Sequence, residues 1–307
     1  MALRRNVLIF HAGALGDFVL TWPLALAMGR LYPQSRILYV VPQQKGLLAQ
    51  KALRVESVDV ETGWHHLHAD ATQLPGANKR WLDGAHTLVS FISSPEDAFA
   101  RNVRKLAPEA TLLTLRPNPP EGFVEHTSQN LLAQLREWPA IGGAFEQILR
   151  SLHERGVGLL HKPGADVVVH PGSGSPAKCF PLDRSVELIR RLKADGRSVR
   201  VLLGEVERER WSKSEMASFG EVATIRTPAT PVDLLNELST AAALVANDSG
   251  PAHLGGIIGV PTLVLFSPTD PAVWRPIGPK VKAIRTNTWG DLTADAVYSE
   301  FNAFRTA

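Results

Sequence analysis

Cysteine is almost absent: Cys179 stands alone in 307 residues. A lone thiol excludes an intrachain disulfide framework and any multi-cysteine zinc or iron–sulfur site, and it suits a reducing, cytoplasmic compartment. No run of about 18 apolar residues occurs, so no membrane-spanning helix is expected. Arg4 and Arg5 precede the short apolar run Val7 to Phe10, but Gly13, Gly16 and Asp17 interrupt it at once, which fits a buried first strand better than a signal peptide. An excess of one charge is missing too. Lys and Arg number 33 against 30 Asp and Glu, a mild +3 compatible with anionic substrates or peripheral contact with anionic lipid. No dense basic block interleaved with aromatics points to nucleic acid.

What is present suffices for a folded core. At 44% hydrophobic and 21% charged the chain needs no staples, and 307 residues exceed what one core usually organises, so two domains of about 150 residues are expected. Strand and helix signals alternate throughout, the grammar of an α/β fold. Asn6 to His11 reads as a strand, and from Asp17 the apolar positions Leu20, Leu24, Ala27 and Leu31 keep helical spacing up to Pro33. Ser94-Pro95-Glu96-Asp97 reads as a helix start with a serine cap and proline at the first helical position. Gly156, Gly158, Pro163 and Gly164 mark a linker between residues 1–156 and 157–307. A second series then repeats the pattern of strand, glycine turn and helix, ending in a closing helix over 293–304 that could pack back on the first domain.

Three turns at strand ends carry the chemistry, because helix N-termini there offer free N–H groups to anions. In Gly13-Ala14-Leu15-Gly16-Asp17 the glycines permit close approach of a ligand, and Asp17 could accept a hydroxyl proton or simply cap the helix. This is no dinucleotide fingerprint: His11 stands where the first glycine belongs, and the second strand ends in Val40-Val41-Pro42-Gln43 without an acid for a ribose. Pro171 to Lys178 offers Gly13-like freedom at Gly172 and Gly174, the Ser173 hydroxyl and the Lys178 ammonium, a set suited either to a diphosphate or to a solvated turn. Asn247-Asp248-Ser249-Gly250-Pro251-Ala252-His253 crowds polar groups at the end of an apolar strand. Asp248 or Ser249 could cap the following helix, Gly250 lets a phosphate oxygen approach, and His253 lies about one turn in. Glu205, with Glu207 as its rival, follows a strand and could meet a ribose, although such a run also reads as a solvated helix start. His65, His66 and His68 lack the i, i+4 pairing of a helical zinc site, so no metal site is expected.

Together these turns resemble glycosyltransferase family 9, the lipopolysaccharide heptosyltransferase family, in the right order. Gly13 to Asp17 is similar to its N-terminal signature and His170-Pro171-Gly172-Ser173 through Lys178-Cys179-Phe180-Pro181 to its central motif. Asn247 to His253 is similar to its donor-site motif, and Phe266-Ser267-Pro268-Thr269-Asp270-Pro271 to the loop beyond. Phe180 stands where the family often has tryptophan. The resemblance implies a GT-B architecture, two Rossmann-like domains of doubly wound parallel sheet facing a central cleft, with acceptor on the first and nucleotide sugar on the second. It implies inverting, metal-independent transfer of heptose from ADP-heptose, with no cofactor, to a glycolipid or saccharide acceptor of the lipopolysaccharide core. Asp17 would be the base. Lys178, Ser173 and the N–H groups at Ser249 and Gly250 would stabilise the diphosphate, with Gly13, Gly16, Glu205, Asp248 and His253 completing the donor and substrate contacts. It further implies a place in the cytoplasm, with contact on the cytoplasmic face of the inner membrane. Two other readings stand beside it: transfer of another nucleotide sugar to another glycan, and a catalytically silent nucleotide-sugar binding protein.

Overall fold

The computed structural model describes residues 6–69, 73–158 and 160–306, so Arg4 and Arg5 lie outside the described residues. The chain divides into two compact units. The first runs up to Gly122 and takes in Thr127–Arg150; the second comprises Phe123–His126 and the chain from Ser151 onward.

The first unit is built on five parallel strands, β1 (Asn6–Phe10), β2 (Arg36–Val41), β3 (Glu56–Asp59), β4 (Ala85–Ser90) and β5 (Thr111–Thr114), in the order β3-β2-β1-β4-β5. Runs such as Asn6–Phe10 are buried along their whole length, as a parallel sheet covered on both faces requires. Leu8, Phe10, Leu38, Val40 and Leu88 pack on one face with Trp64, Leu67, Phe99 and Val103. Because the chain leaves β1 toward β2 and later returns to its other side at β4, the order reverses between β1 and β4. A crevice opens at the carboxyl ends of strands at such a reversal.

The second unit holds six parallel strands, β6 (Val167–His170), β7 (Val199–Leu202), β8 (Thr224–Arg226), β9 (Ala243–Asn247), β10 (Thr262–Phe266) and β11 (Val281–Arg285). Their order is β11-β10-β9-β6-β7-β8, with the reversal between β6 and β9. Val169, Val201, Val245 and Leu263 meet Ile189, Phe219 and Phe301 in its core. The closing helix, Ala294–Thr306, contributes Val297 and Phe301 and so belongs to this unit's own core.

Three local expectations change. The helix expected from Asp17 to Leu31 is two helices, Leu15–Leu20 and Trp22–Leu31. Pro23 has no N–H for the carbonyl four residues back, and the Thr21 hydroxyl bonds the Phe18 carbonyl at 2.7 Å in the break. The helix expected from Ser94 starts at Ala98 instead, because the Asp97 carboxylate serves two donors, Ala100 N at 2.9 Å and Ser94 N at 2.8 Å. The glycine-rich stretch after Gly156 is tied down: Val157 N bonds Ile257 O, Lys162 N bonds Ser239 O and Gly164 N bonds Thr240 O, each within 2.9 Å.

Candidate functional site

Both reversal points are occupied by turns that the sequence marks. In the first unit the chain leaves β1 at His11 and turns through Gly13 into the helix Leu15–Leu20, whose cap is Ala14 with no side-chain bond. Asp17 is therefore not the cap. It sits in the first turn, partly exposed, with no hydrogen bond to its carboxylate among the described residues. The side chain folds back over Gly13: a Cβ there would lie 3.4 Å from Asp17 Oδ2 and 3.2 Å from His11 Nε2. Gly16 occupies the second helical position. His11 is 1% exposed, and neither ring nitrogen has a hydrogen-bond partner. Burial first, and the nearby Lys45 ammonium second, hold the imidazole down at about 4, so it is neutral at physiological pH. Lys45, from the helix Gln43–Leu53, donates to the Gly13 carbonyl.

In the second unit the turns after β6 and β9 are stapled to each other. Asn247, 1% exposed, donates to Pro171 O at 2.7 Å and accepts from Phe180 N at 3.1 Å. The Ser173 hydroxyl donates to Asp248 O at 2.8 Å. Lys178 Nζ and the Thr269 hydroxyl both reach Asp248 Oδ2 at 2.8 Å, and His253 Nε2 stands 3.8 Å from Oδ1. Burial works against the Asp248 charge, yet His253 and Lys178 outweigh it and hold the carboxyl at about 2. The helix Gly250–Ile257 starts after Ser249, whose hydroxyl turns back to Asn247 O at 3.0 Å. Neither Asp248 nor Ser249 caps that helix with its side chain, so the first N–H groups keep no side-chain acceptor.

Of the two acids after β7, Glu205 is exposed. Glu207 is 4% exposed, accepts from Gly204 N at 2.7 Å and lies against Gly172. Arg210 donates to the Ser173 and Gly174 carbonyls at 3.1 Å each. Trp289 packs edge-on against Phe180 at 5.7 Å and donates to Ala177 O at 2.9 Å. Burial pushes the Cys179 thiol up, which keeps it protonated and unsuited to act as a nucleophile. The histidines near residue 65 lie on a short 3-10 helix, Trp64–His68, whose buried residues are Trp64 and Leu67. Among the described residues no three His, Cys, Asp or Glu side chains gather as metal ligands.

The family model for glycosyltransferase family 9 (heptosyltransferase) matches residues 130–299, more than half of the chain and including both second-unit turns. The chain belongs to glycosyltransferase family 9. The transferase is similar in fold to Escherichia coli heptosyltransferase WaaC solved with ADP, at 18% identity and TM-score 0.67, covering 97% of this chain and 99% of that one. It is similar to E. coli ADP-heptose lipopolysaccharide heptosyltransferase II at 17% identity and TM-score 0.67, over 98% of each chain. A family 9 glycosyltransferase of Veillonella parvula matches at 14% identity and TM-score 0.68, over 100% of this chain and 98% of the other. The two parallel-sheet α/β domains are thus those of the GT-B heptosyltransferases.

Within this glycosyltransferase the expected residues fall into two groups. Gly13, Gly16 and Asp17 share the first-unit turn, while Ser173, Lys178, Asp248, Ser249, Gly250 and His253 share the second-unit reversal; Glu205 is exposed at the start of the helix that follows β7. The motif reading missed Lys45, Arg210 and Trp289. Each enters from a distant element, and a lysine or arginine in a helix carries no local sign of what it reaches.

Proposed function

We propose that this glycosyltransferase moves a sugar, heptose from ADP-heptose, onto a saccharide acceptor of the lipopolysaccharide-core type, with inversion and without a metal. Two observations, one in each unit, support the reading: Asp17 lies in the first helical turn after β1 without being its cap and without a hydrogen bond to its carboxylate among the described residues, and Lys178 is held beside the start of the helix Gly250–Ile257, which has no side-chain cap. In the first unit Asp17 takes the proton from an acceptor hydroxyl as that oxygen attacks the anomeric carbon. The bond from this carbon to the diphosphate breaks on the opposite side, and ADP departs with the electron pair. In the second unit Lys178 and the first N–H groups of the helix Gly250–Ile257 meet the growing negative charge on the diphosphate. A well-aimed donor of this kind is worth about 3–4 kcal/mol in the transition state.

Asp248 carries negative charge and so does not itself bind phosphate; it fixes Lys178 and is fixed by Thr269. Glu205, exposed at the start of the helix Glu205–Arg210, would meet a ribose hydroxyl, with Glu207, buried against Gly172, as its rival. The E. coli enzyme solved with ADP supports the choice of nucleotide. No described helix is long and apolar enough to cross a membrane, and contact with the inner membrane surface would be peripheral.

The test is transfer from ADP-heptose to a lipopolysaccharide-core acceptor in EDTA, alongside calorimetric binding of ADP, for wild type and Asp17→Asn. Transfer should persist in EDTA, and Asp17→Asn should lower it about a thousandfold, the middle of the range for a general base, with ADP affinity unchanged. Equal loss of ADP binding would refute the base role. Donor binding with no turnover by the wild type would make the protein a silent binding module.

A further inference from the structure

The turn that presents Asp17 contains a cation from outside every motif. Lys45 lies in the first turns of the helix Gln43–Leu53, beyond the neighbouring strand β2, and crosses back to donate to the Gly13 carbonyl. Two groups with negative charge or dipole act on it: the Gly13 carbonyl through the hydrogen bond, and, through space, the Asp17 carboxylate, which lies over Gly13. Beneath them is His11, whose ring a Cβ at Gly13 would touch at 3.1 Å. Its neutrality leaves the positive charge beside this turn on Lys45.

We propose that Lys45 is a positioning residue for the transfer reaction, clamping the Gly13 carbonyl and drawing the Asp17 carboxylate into one orientation over the turn. The proposal rests on the reading of Asp17 as the base. Its physical logic is a matter of freedom. Among the described residues Asp17 takes no hydrogen bond that would fix its rotamer, and glycine at position 13 gives the turn no side chain to stiffen it. A general base must stand within hydrogen-bond reach of the proton it removes, and about 1 Å of misplacement can cost a hundredfold. A half-buried ammonium tied to the backbone on one side and attracted by the carboxylate on the other restrains both. Burial lowers Lys45 from the ordinary lysine range, while the nearby Asp17 carboxylate favours the charged ammonium.

The experiment measures kcat and KM for donor and acceptor in Lys45→Met, Lys45→Gln and Lys45→Arg, with Tm as a check on folding and Asp17→Asn in parallel. Lys45→Met should lower kcat about ten- to a hundredfold with both KM values little changed, and Lys45→Arg, which keeps the charge and reach, should restore most of it. Lys45→Gln replaces Lys45→Met if the methionine variant melts early. An unchanged kcat in Met and Gln variants overturns the proposal, as does a rise in acceptor KM with kcat intact, which would make Lys45 a substrate-binding group. Full activity in Asp17→Asn would instead remove the base reading beneath it, so the two failures are separately visible.

Discussion

The two sheet reversals use opposite strategies with the same chain geometry. In the second unit most polar groups of the paired turns are answered within the protein, with His253 Nδ1 the exception: Asn247 by Pro171 and Phe180, Asp248 by Lys178 and Thr269, Ser173 by the Asp248 carbonyl. In the first unit His11 keeps both ring nitrogens unpartnered and Asp17 takes no hydrogen bond among the described residues. Buried polar groups are nearly always paired, which makes the His11 ring an exception, whereas Asp17 is only partly buried and open to solvent. A donor diphosphate of fixed shape suits a rigid cradle. A base that must accept a proton suits a carboxylate not already engaged.

The contrast is sharpest at the two lysines. Lys178 is bound to a buried carboxylate held at about 2, whereas Lys45 leans on a backbone carbonyl. Lys178→Ala should weaken ADP binding about a hundredfold by calorimetry, the loss of roughly 3 kcal/mol expected when one partner of a desolvated charge pair is removed. Lys45→Met should leave ADP affinity within about twofold. Undiminished ADP binding in Lys178→Ala would end its assignment to the diphosphate, and equal losses in both variants would erase the division of labour.

Acid separates the sites in a different way. Unfolded His11 takes a proton near 6.5 but the folded ring only near 4, so the unfolded chain binds more protons in this window and stability falls as pH drops from 6.5 to 4. The shift corresponds to about 3 kcal/mol. Asp248 acts in the same direction but in a lower window: its folded carboxyl stays ionised down to about 2 against 3.8, so its contribution is whole above 3.8 and is lost only as pH falls toward 2. His126, also held at about 4 chiefly by burial, gives the second unit a mild-acid loss of its own. Chemical denaturation of wild type and His11→Asn between pH 7 and 4 checks this. The variant should show a visibly shallower decline, and an identical one would mean that the ring is not buried neutral.

Much of this arrangement was legible in the sequence because it is local. Buried runs such as Val7 to Phe10 and Thr262 to Phe266 read as parallel strands, and glycine with polar residues at their ends reads as ligand-binding turns. What was not legible depends on distance. Strand order decides that the turns after β6 and β9 are neighbours, and no spacing along the chain shows it. Lys45 is 32 residues from Gly13, Arg210 37 from Ser173 and Trp289 112 from Ala177, so none carries a motif. Competition explains the local misses. Asp97 outdoes Ser94 as a cap by serving two donors, and Asp17 looked like a cap until Ala14 proved to hold that position.

The smallest effect is also the most discriminating, since it asks the same substitution of both turns. A Cβ at Gly172 would overlap the Glu207 carboxylate, which cannot yield freely because it is buried and holds the Gly204 N–H. A Cβ at Gly13 would meet only the His11 ring at 3.1 Å and the Asp17 carboxylate at 3.4 Å, and the latter is a movable side-chain end. Gly172→Ala should therefore cost about 1–3 kcal/mol of stability through overpacking, and adding Glu207→Ala should return part of it. Gly13→Ala should lower Tm less than Gly172→Ala, because the His11 ring need give only a few tenths of an ångström, while lowering kcat through the methyl added beside the proposed base Asp17. If both alanines instead lowered Tm alike, the first turn would be as tightly built as the second. The idea that one reversal is closed on itself and the other left open for a substrate would then fail.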